Sequence, residues 1–252
     1  MLSVAVAALI SCGSFAEGLS PTAQADLDER LRIETEGFIK DISTLGGENL
    51  IKTADLILGS GISNKELYTA VDDKVTKNYQ EHMNNPKDDI IAQELNSLIR
   101  ALASIGPQAK EVIMRLDESK SRGIRERAVR LLPKLEWFSR RNSLMQKTDY
   151  YEQGQDLMTY RYLNLITSDD PVMRRYGAEE INRRGGAEAI VYKKMAERLE
   201  KDKGPIFGSV DIDAYAWFCR ILRDYDSQNS SQLLSAITND KTVPKKIKKY
   251  TH

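Results

Sequence analysis

The sequence predicts an all-α fold built from repeated helix hairpins, and three observations carry that prediction. Past the first sixteen residues the apolar side chains recur at spacings of three, four and seven, with few of the alternating or β-branched runs that make strands. Glycine, proline, asparagine and aspartate punctuate the chain at helix-length intervals. A short pattern also repeats. The turn Asp169-Asp170-Pro171, the apolar-arginine pair Met173-Arg174, the small Gly177, the anchor Ile181 and the terminator Gly185 are matched by Ile124, Arg125, Ala128 and Leu132 at an offset of 49 residues. A weaker echo, Ile237 to Lys246, follows Ile166 to Arg175 at an offset of 71.

Each helix has its own start and stop. Ser20-Pro21 opens the first with a capping hydroxyl and a proline at its first position, and Leu27, Leu31, Phe38 and Ile42 share one face until Gly46-Gly47 ends it. A second helix is expected from Glu48 to Leu58, closed by Gly59-Ser60-Gly61. A third begins at Ser63-Asn64-Lys65-Glu66, read as a capping box with Ser63 as the cap, and carries Leu67, Val71, Val75 and Tyr79 on its apolar side up to Asn84-Asn85-Pro86. From Asp88 the leucine density rises: Ile91, Leu95, Leu98, Ile99 and Leu102 form a stripe, Gly106-Pro107 turns the chain, and Val112, Ile113 and Leu116 face back, which makes a helix hairpin.

A further helix is expected over 123–138, kinked or shortened by Pro133, and the polar, aromatic stretch 139–156 reads as an inserted loop. The clearest unit follows, with a helix over 156–166, the Asp-Asp-Pro turn, a helix to Arg184 and a glycine stop at Gly185-Gly186. Helices over 187–200, 211–223 and 230–238 complete the array, and the last residues read as a degenerate cap. The organisation predicted is a leader over 1–16, a helical segment over 17–86 that matches the repeat poorly, and a repeat region over 87–252.

The leader contains no charged residue, and its apolar run from Val4 to Ile10 is too short to span a bilayer, so it reads as an export signal with Ser14 and Ala16 before the cleavage point. Leu9-Ile10-Ser11-Cys12 resembles a bacterial lipobox, which would make Cys12 the lipidated first residue of the mature chain. The expected location is the periplasm or a lipid anchor on the bacterial envelope. Loss or acylation of Cys12 leaves only Cys219, in an apolar helical stretch, so no internal disulfide is expected. Net charge is zero but unevenly spread: residues 17–110 hold 16 acidic and 10 basic side chains, against 21 and 27 over 111–252.

The repeat units, best over residues 88–200, resemble HEAT-like repeats, the short helix hairpins of α-solenoid scaffolds. The resemblance implies an α-solenoid of stacked antiparallel hairpins, in which Asp169 or Asp170 would pair with Arg174, and Asp117 with Arg125. Gly177 departs from the alanine that the family favours there. A hairpin of this size cannot bury its apolar face alone, so stacking makes one continuous core and leaves a flank for binding a protein or peptide.

Little in the chain suggests catalysis. There are two histidines, His82 and His252, the first read as a solvated helix-end residue, and no phosphate loop, nucleophile elbow or Cys-x-x-Cys pair, so no catalytic residue, metal site or cofactor is expected. The carboxylate pairs at Asp88-Asp89, Asp169-Asp170 and Asp211 with Asp213 suit helix starts. Arg140, Arg141, Arg174, Arg175, Arg183 and Arg184, with the tail Lys245 to Tyr250, would line one basic face for an anionic partner, interleaved with Tyr150, Tyr151, Tyr160 and Tyr162. HEAT-like repeats also resemble bacterial alkyl-base DNA glycosylases, and Trp137, Trp217 and Asp213 could be cast in their aromatic and acidic roles. The expected function is therefore an exported, non-catalytic binding scaffold. The alternatives are a cytoplasmic nucleic-acid-binding protein, glycosylase-like, and an assembly factor for an enzyme or pigment complex.

Overall fold

The computed structural model describes residues 19–202 and 208–252, and every regular element among them is helical. The leader, with Cys12, lies outside the described residues. The elements are α1 (Pro21–Thr44), α2 (Gly47–Ser60), α3 (Lys65–Asn84), α4 (Asp89–Ile105), α5 (Lys110–Asp117), α6 (Arg122–Leu131), α7 (Leu135–Met145), α8 (Leu157–Thr167), α9 (Pro171–Arg184), α10 (Ala189–Lys201), α11 (Ser209–Tyr225), α12 (Ser227–Asn239) and the single turn α13 (Lys245–Lys248). No described helix is long and apolar enough to cross a membrane.

The caps are mostly where local chemistry puts them. The Ser20 hydroxyl accepts from the Ala23 amide, Asp88 from Ile90 and Ile91, Asp156 from Met158 and Thr159, and Asp170 from Val172. Gly61 and Gly185 close α2 and α9 in the left-handed conformation. At the start of α3 the cap is Asn64, whose side chain accepts from Leu67, rather than Ser63; the helix begins one residue later than the capping-box reading required.

The larger correction lies at 139–156. Pro133 does break the helix, as a 3-10 turn over Leu132–Lys134, but the chain then resumes as α7 and runs to Met145, so the loop occupies only 146–156. Seven residues that read as polar loop are helical because Arg141 and Asn142 are buried and find interior partners.

Two apolar clusters form the core. The first runs from Ile42 to Phe138 through α1–α7, and the second from Met145, at the end of α7, to Ile247 in α13. Trp137 packs against both, with its ring 5.0 Å from that of Tyr176 on α9. Alternate helices pack in two runs, α1 on α3, α2 on α4 and α4 on α6, then α8 on α10, α9 on α11, α10 on α12 and α11 on α13; between the runs α7 packs on α4 and α8, and each helix also touches its chain neighbour at most steps. Gly177 is part of this. A Cβ there would lie 2.8 Å from the Leu165 Cβ, so the α8–α9 approach admits glycine where an alanine would collide.

α1 departs from the order. At 24 residues it is about 36 Å long. Its C-terminal half, with Phe38, Ile39 and Ile42, joins the first cluster, while Leu27 and Leu31 pack on Tyr151 of the loop and Tyr160 of α8. The Asp26 carboxylate accepts from the Tyr151 hydroxyl (2.6 Å) and the Gly154 amide (2.8 Å), which holds it below the usual carboxylate range. α1 thereby straps the 146–156 loop to the N-terminal helices.

The repeat detected in sequence has a structural counterpart. The Arg125 guanidinium donates to the Ser119 carbonyl, and Arg174, at the offset of 49, donates to the Ser168 carbonyl at 2.7 Å. In each case the serine hydroxyl also accepts from the amide two residues on, at 3.1 Å. The turn aspartates take other partners than the resemblance implied, because Arg174 reaches across to α11. Asp169 lies 3.5 Å from Arg198, Asp170 3.4 Å from Arg140, and Arg125 is held by a carbonyl rather than by Asp117. His82, expected in solvent, is buried on the inner side of α3.

Three measurements test this packing. Gly177→Ala is expected to lower stability by about 1 kcal/mol in urea unfolding, since overpacking of ~1–3 kcal/mol outweighs a helix-propensity gain of ~1 kcal/mol. Gly37→Ala, exposed on α1 with open space around its Cβ position, gains about 0.5–1 kcal/mol. Burial pushes the Cys219 thiol from its ordinary 9.0 up to about 12, so stability linked to its neutral form is complete below pH 9 and lost between pH 9 and 12. Cys219→Ala flattens that alkaline limb, and the native thiol stays unreactive to maleimide at pH 8 until the protein is unfolded.

Candidate functional site

The six arginines expected on one basic face are distributed over three environments. Arg141 and Arg174 are in the interior, 0% and 2% exposed, and cannot meet a partner. Arg140 is exposed and faces Asp170, and Arg183 is exposed and bonded to Glu180 at 2.5 Å. Arg184 is half-buried, 3.8 Å from Glu180 and close against Gly59 of α2. Arg175 opens onto a cavity. Of the interleaved tyrosines, Tyr151, Tyr160 and Tyr162 are also buried.

The interior arginines hold the fold together. Arg141 of α7 donates to the Leu58 carbonyl of α2 (2.7 Å), the Tyr176 hydroxyl of α9 (3.2 Å) and the neighbouring Asn142 amide oxygen, and its guanidinium carbon lies 5.0–5.7 Å from the ring centres of Trp137, Phe138 and Tyr176. Burial pushes its pKa down, yet an arginine stays protonated, so these neutral oxygens and ring faces stand in for its hydration. Arg161 of α8, which nothing in the sequence distinguished, makes a bidentate pair with Glu34 of α1 at 2.9 and 2.7 Å. Burial lowers its pKa and the Glu34 carboxylate more than offsets that, leaving it raised. Arg174 bonds Asp211 at 2.5 Å under the ring of Tyr215.

The cavity beside Arg175 lies between α9, α11 and α13, encloses about 190 Å³ and is lined by Arg175, Asp213, Ala216, Trp217, Arg220, Lys246 and Tyr250. α11 builds most of it. Tyr215, Phe218, Cys219, Ile221 and Leu222 are buried in the second cluster, so Asp213, Trp217 and Arg220, spaced by four and three residues, fall on the opposite stripe of the helix, with the buried Ala216 between them at the floor of the cavity. The tail is brought over by Ile247, 1% exposed in the core, by the Thr251 hydroxyl against that of Thr238 (2.6 Å), and by Arg223 donating to the His252 carbonyl (2.8 Å).

Within the cleft, Asp213 is bridged by Arg175 at 3.3 Å and by the Lys246 ammonium. The Arg220 guanidinium carbon lies 4.9 Å from the Trp217 ring centre, and the Lys249 ammonium 5.6 Å from that of Tyr250, so each aromatic carries a cation over its face. The arrangement can hold a small anion or a carboxylate-bearing group against an aromatic wall. Asp213 and Trp217 do share this cleft, whereas Trp137 sits at the junction of the two cores, in edge contact with Phe138 and Tyr176. Arg220 was missed in the sequence; its position seven residues after Asp213 was the signal, legible only once the buried face of α11 is known.

Among the described residues no group of three or more His, Cys, Asp or Glu is placed to hold a metal ion. Comparisons with protein-family models, with curated proteins and with solved structures find no match to this chain.

Removing Glu34 tests the arginine network. Glu34→Ala strands the Arg161 charge and is expected to cost about 3 kcal/mol in urea unfolding, while the double variant Glu34→Leu with Arg161→Met regains most of the loss.

Proposed function

We propose that this protein is an exported, non-catalytic scaffold of HEAT-like hairpins, stacked as an α-solenoid, that binds a protein or peptide partner in the bacterial envelope. The stacked reading draws on the alternating helix contacts and on the Ser119–Arg125 and Ser168–Arg174 locks, which recur at the same offset in successive units. The observation that carries binding is the outward stripe of α11. Beside the second cluster it leaves Trp217, Arg220 and Asp213 half-buried around an open cleft, where a helix serving only the core would present plain solvated residues. Export and the Cys12 anchor rest on the leader sequence alone.

A nucleic-acid-binding reading draws on the same cleft, since Asp213, Trp217, Arg175 and Lys246 converge there. Against it stand the interior positions of Arg141 and Arg174, which remove two of the cations a phosphate-tracking face would use.

Fractionation of the full-length chain and a Cys12→Ser variant in one bacterial host tests the export half: the wild type is expected in the membrane with a diacylglyceryl mass increment and the variant outside it. Both chains soluble and unprocessed in the cytoplasm would end the exported reading. For the partner, a photo-crosslinking amino acid placed in turn at the exposed Lys249 beside the cleft, Met114 and Ile33 is expected to give a discrete protein adduct from at least one position; no adduct from any of them removes the scaffold.

A further inference from the structure

The geometry points to the α9–α11–α13 cleft as a recognition site for an acidic peptide segment, with a Glu or Asp side chain of the partner held between Arg220 and Lys246 and an apolar neighbour on Trp217 and Tyr250. This rests on the scaffold reading and names its ligand.

Size sets the first limit. About 190 Å³ is the room of roughly six water molecules at ~30 Å³ each, enough for one or two side chains. Hydrogen-bond capacity sets the second. Arginine carries five N–H donors and a lysine ammonium three. Arg220 meets Asp224 only at 3.6 Å, beyond hydrogen-bond distance, and Lys246 bonds Asp213 with one donor, so both retain donors for a carboxylate. Their side chains are 39% and 56% exposed, accessible without rearrangement of the core. Lys245, Lys248 and Lys249 lie on the same short segment as Lys246 and add positive potential at the mouth.

The carboxylate of Asp213 decides between classes of anion. It sits among the cations of the cleft, and Glu179 and Asp224 stand at its rim, bonded to Arg175 and facing Arg220. Any anion, a partner carboxylate included, meets these three carboxylates as repulsion, and a phosphodiester backbone or an anionic bilayer has no donors with which to offset it. A peptide presents N–H groups beside its carboxylate, and Asp213 can accept from them. The aromatic walls add the flat apolar surface typical of peptide and protein anchors.

The test is fluorescence anisotropy with the full chain and four probes: a labelled peptide of alternating Glu and Phe, its Gln-for-Glu counterpart, a labelled oligothymidylate and phosphatidylglycerol vesicles. The acidic peptide is expected to bind at least ~10-fold more tightly than the Gln peptide, equivalent to ~1.4 kcal/mol. Arg220→Gln with Lys246→Gln is expected to weaken it ~10-fold or more with the circular dichroism and melting of the wild type, and Trp217→Ala to weaken it several-fold with the circular dichroism of the wild type and a lowered melting temperature, because Trp217 also packs on the second cluster. Arg32→Gln, on α1, leaves it unchanged. Equal affinity for both peptides, tighter binding of oligothymidylate or vesicles, no binding at all, or indifference to the cleft variants would overturn the assignment. Adducts from Met114 or Ile33 alongside a failed peptide titration would sink the cleft and spare the scaffold; adducts from no position would sink both.

Discussion

The guanidinium of Arg141 is the constraint on which the arrangement of this protein depends. It is a full charge removed from water at the meeting of α2, α7 and α9, satisfied by the Leu58 carbonyl, the Tyr176 hydroxyl, Asn142 and three ring faces. Unpaired burial of such a charge would cost far more than the fold's margin of stability, so every one of those groups must be in place together. Asn142 extends the same lock to α4 by donating to the Ser104 carbonyl at 2.7 Å. The two apolar clusters meet at this point, and Trp137, against which both pack, shields it.

Arg161 and Arg174 do the same work at the two flanks. Each takes a helix of the middle of the chain and ties it to a partner far away in sequence, Glu34 on α1 at 127 residues and Asp211 on α11 at 37. Charged groups inside a helical stack define which helix may lie against which, because an apolar side chain accepts many neighbours and a guanidinium accepts few. The α1 strap follows from the same logic: Asp26 and Glu34 bind the loop and α8 from one side while Ile42 is anchored in the first cluster.

This division also explains why the cleft sits where it does. α11 buries its aromatic and aliphatic stripe, commits Asp211 to Arg174, and has Asp213, Trp217 and Arg220 left on its outer stripe. The single turn α13, pinned by Ile247 and Thr251, closes the other wall with Lys246 and Tyr250. A basic tail that would otherwise be a solvated run becomes part of a concave surface.

What the sequence by itself determined is local. Ser20-Pro21, Asp88, Asp156 and Asp170 mark helix starts because a side-chain oxygen satisfies amides within three residues of itself, and Gly61 and Gly185 mark stops because only nearby backbone is involved. The repeat at 49 was legible for the same reason, since the serine, the turn and the arginine that form each lock lie within seven residues. What only the tertiary structure decided is the fate of long polar side chains. Arg141, Arg174 and Arg175 are alike in composition and neighbourhood, yet two are interior and one lines a cleft. Arg140 and Arg141 stand in a stretch whose polarity reads as loop until the carbonyls and rings of distant helices are brought around it. A long side chain that carries several donors takes its meaning from groups dozens of residues away, and no periodicity in the chain records where those groups will be.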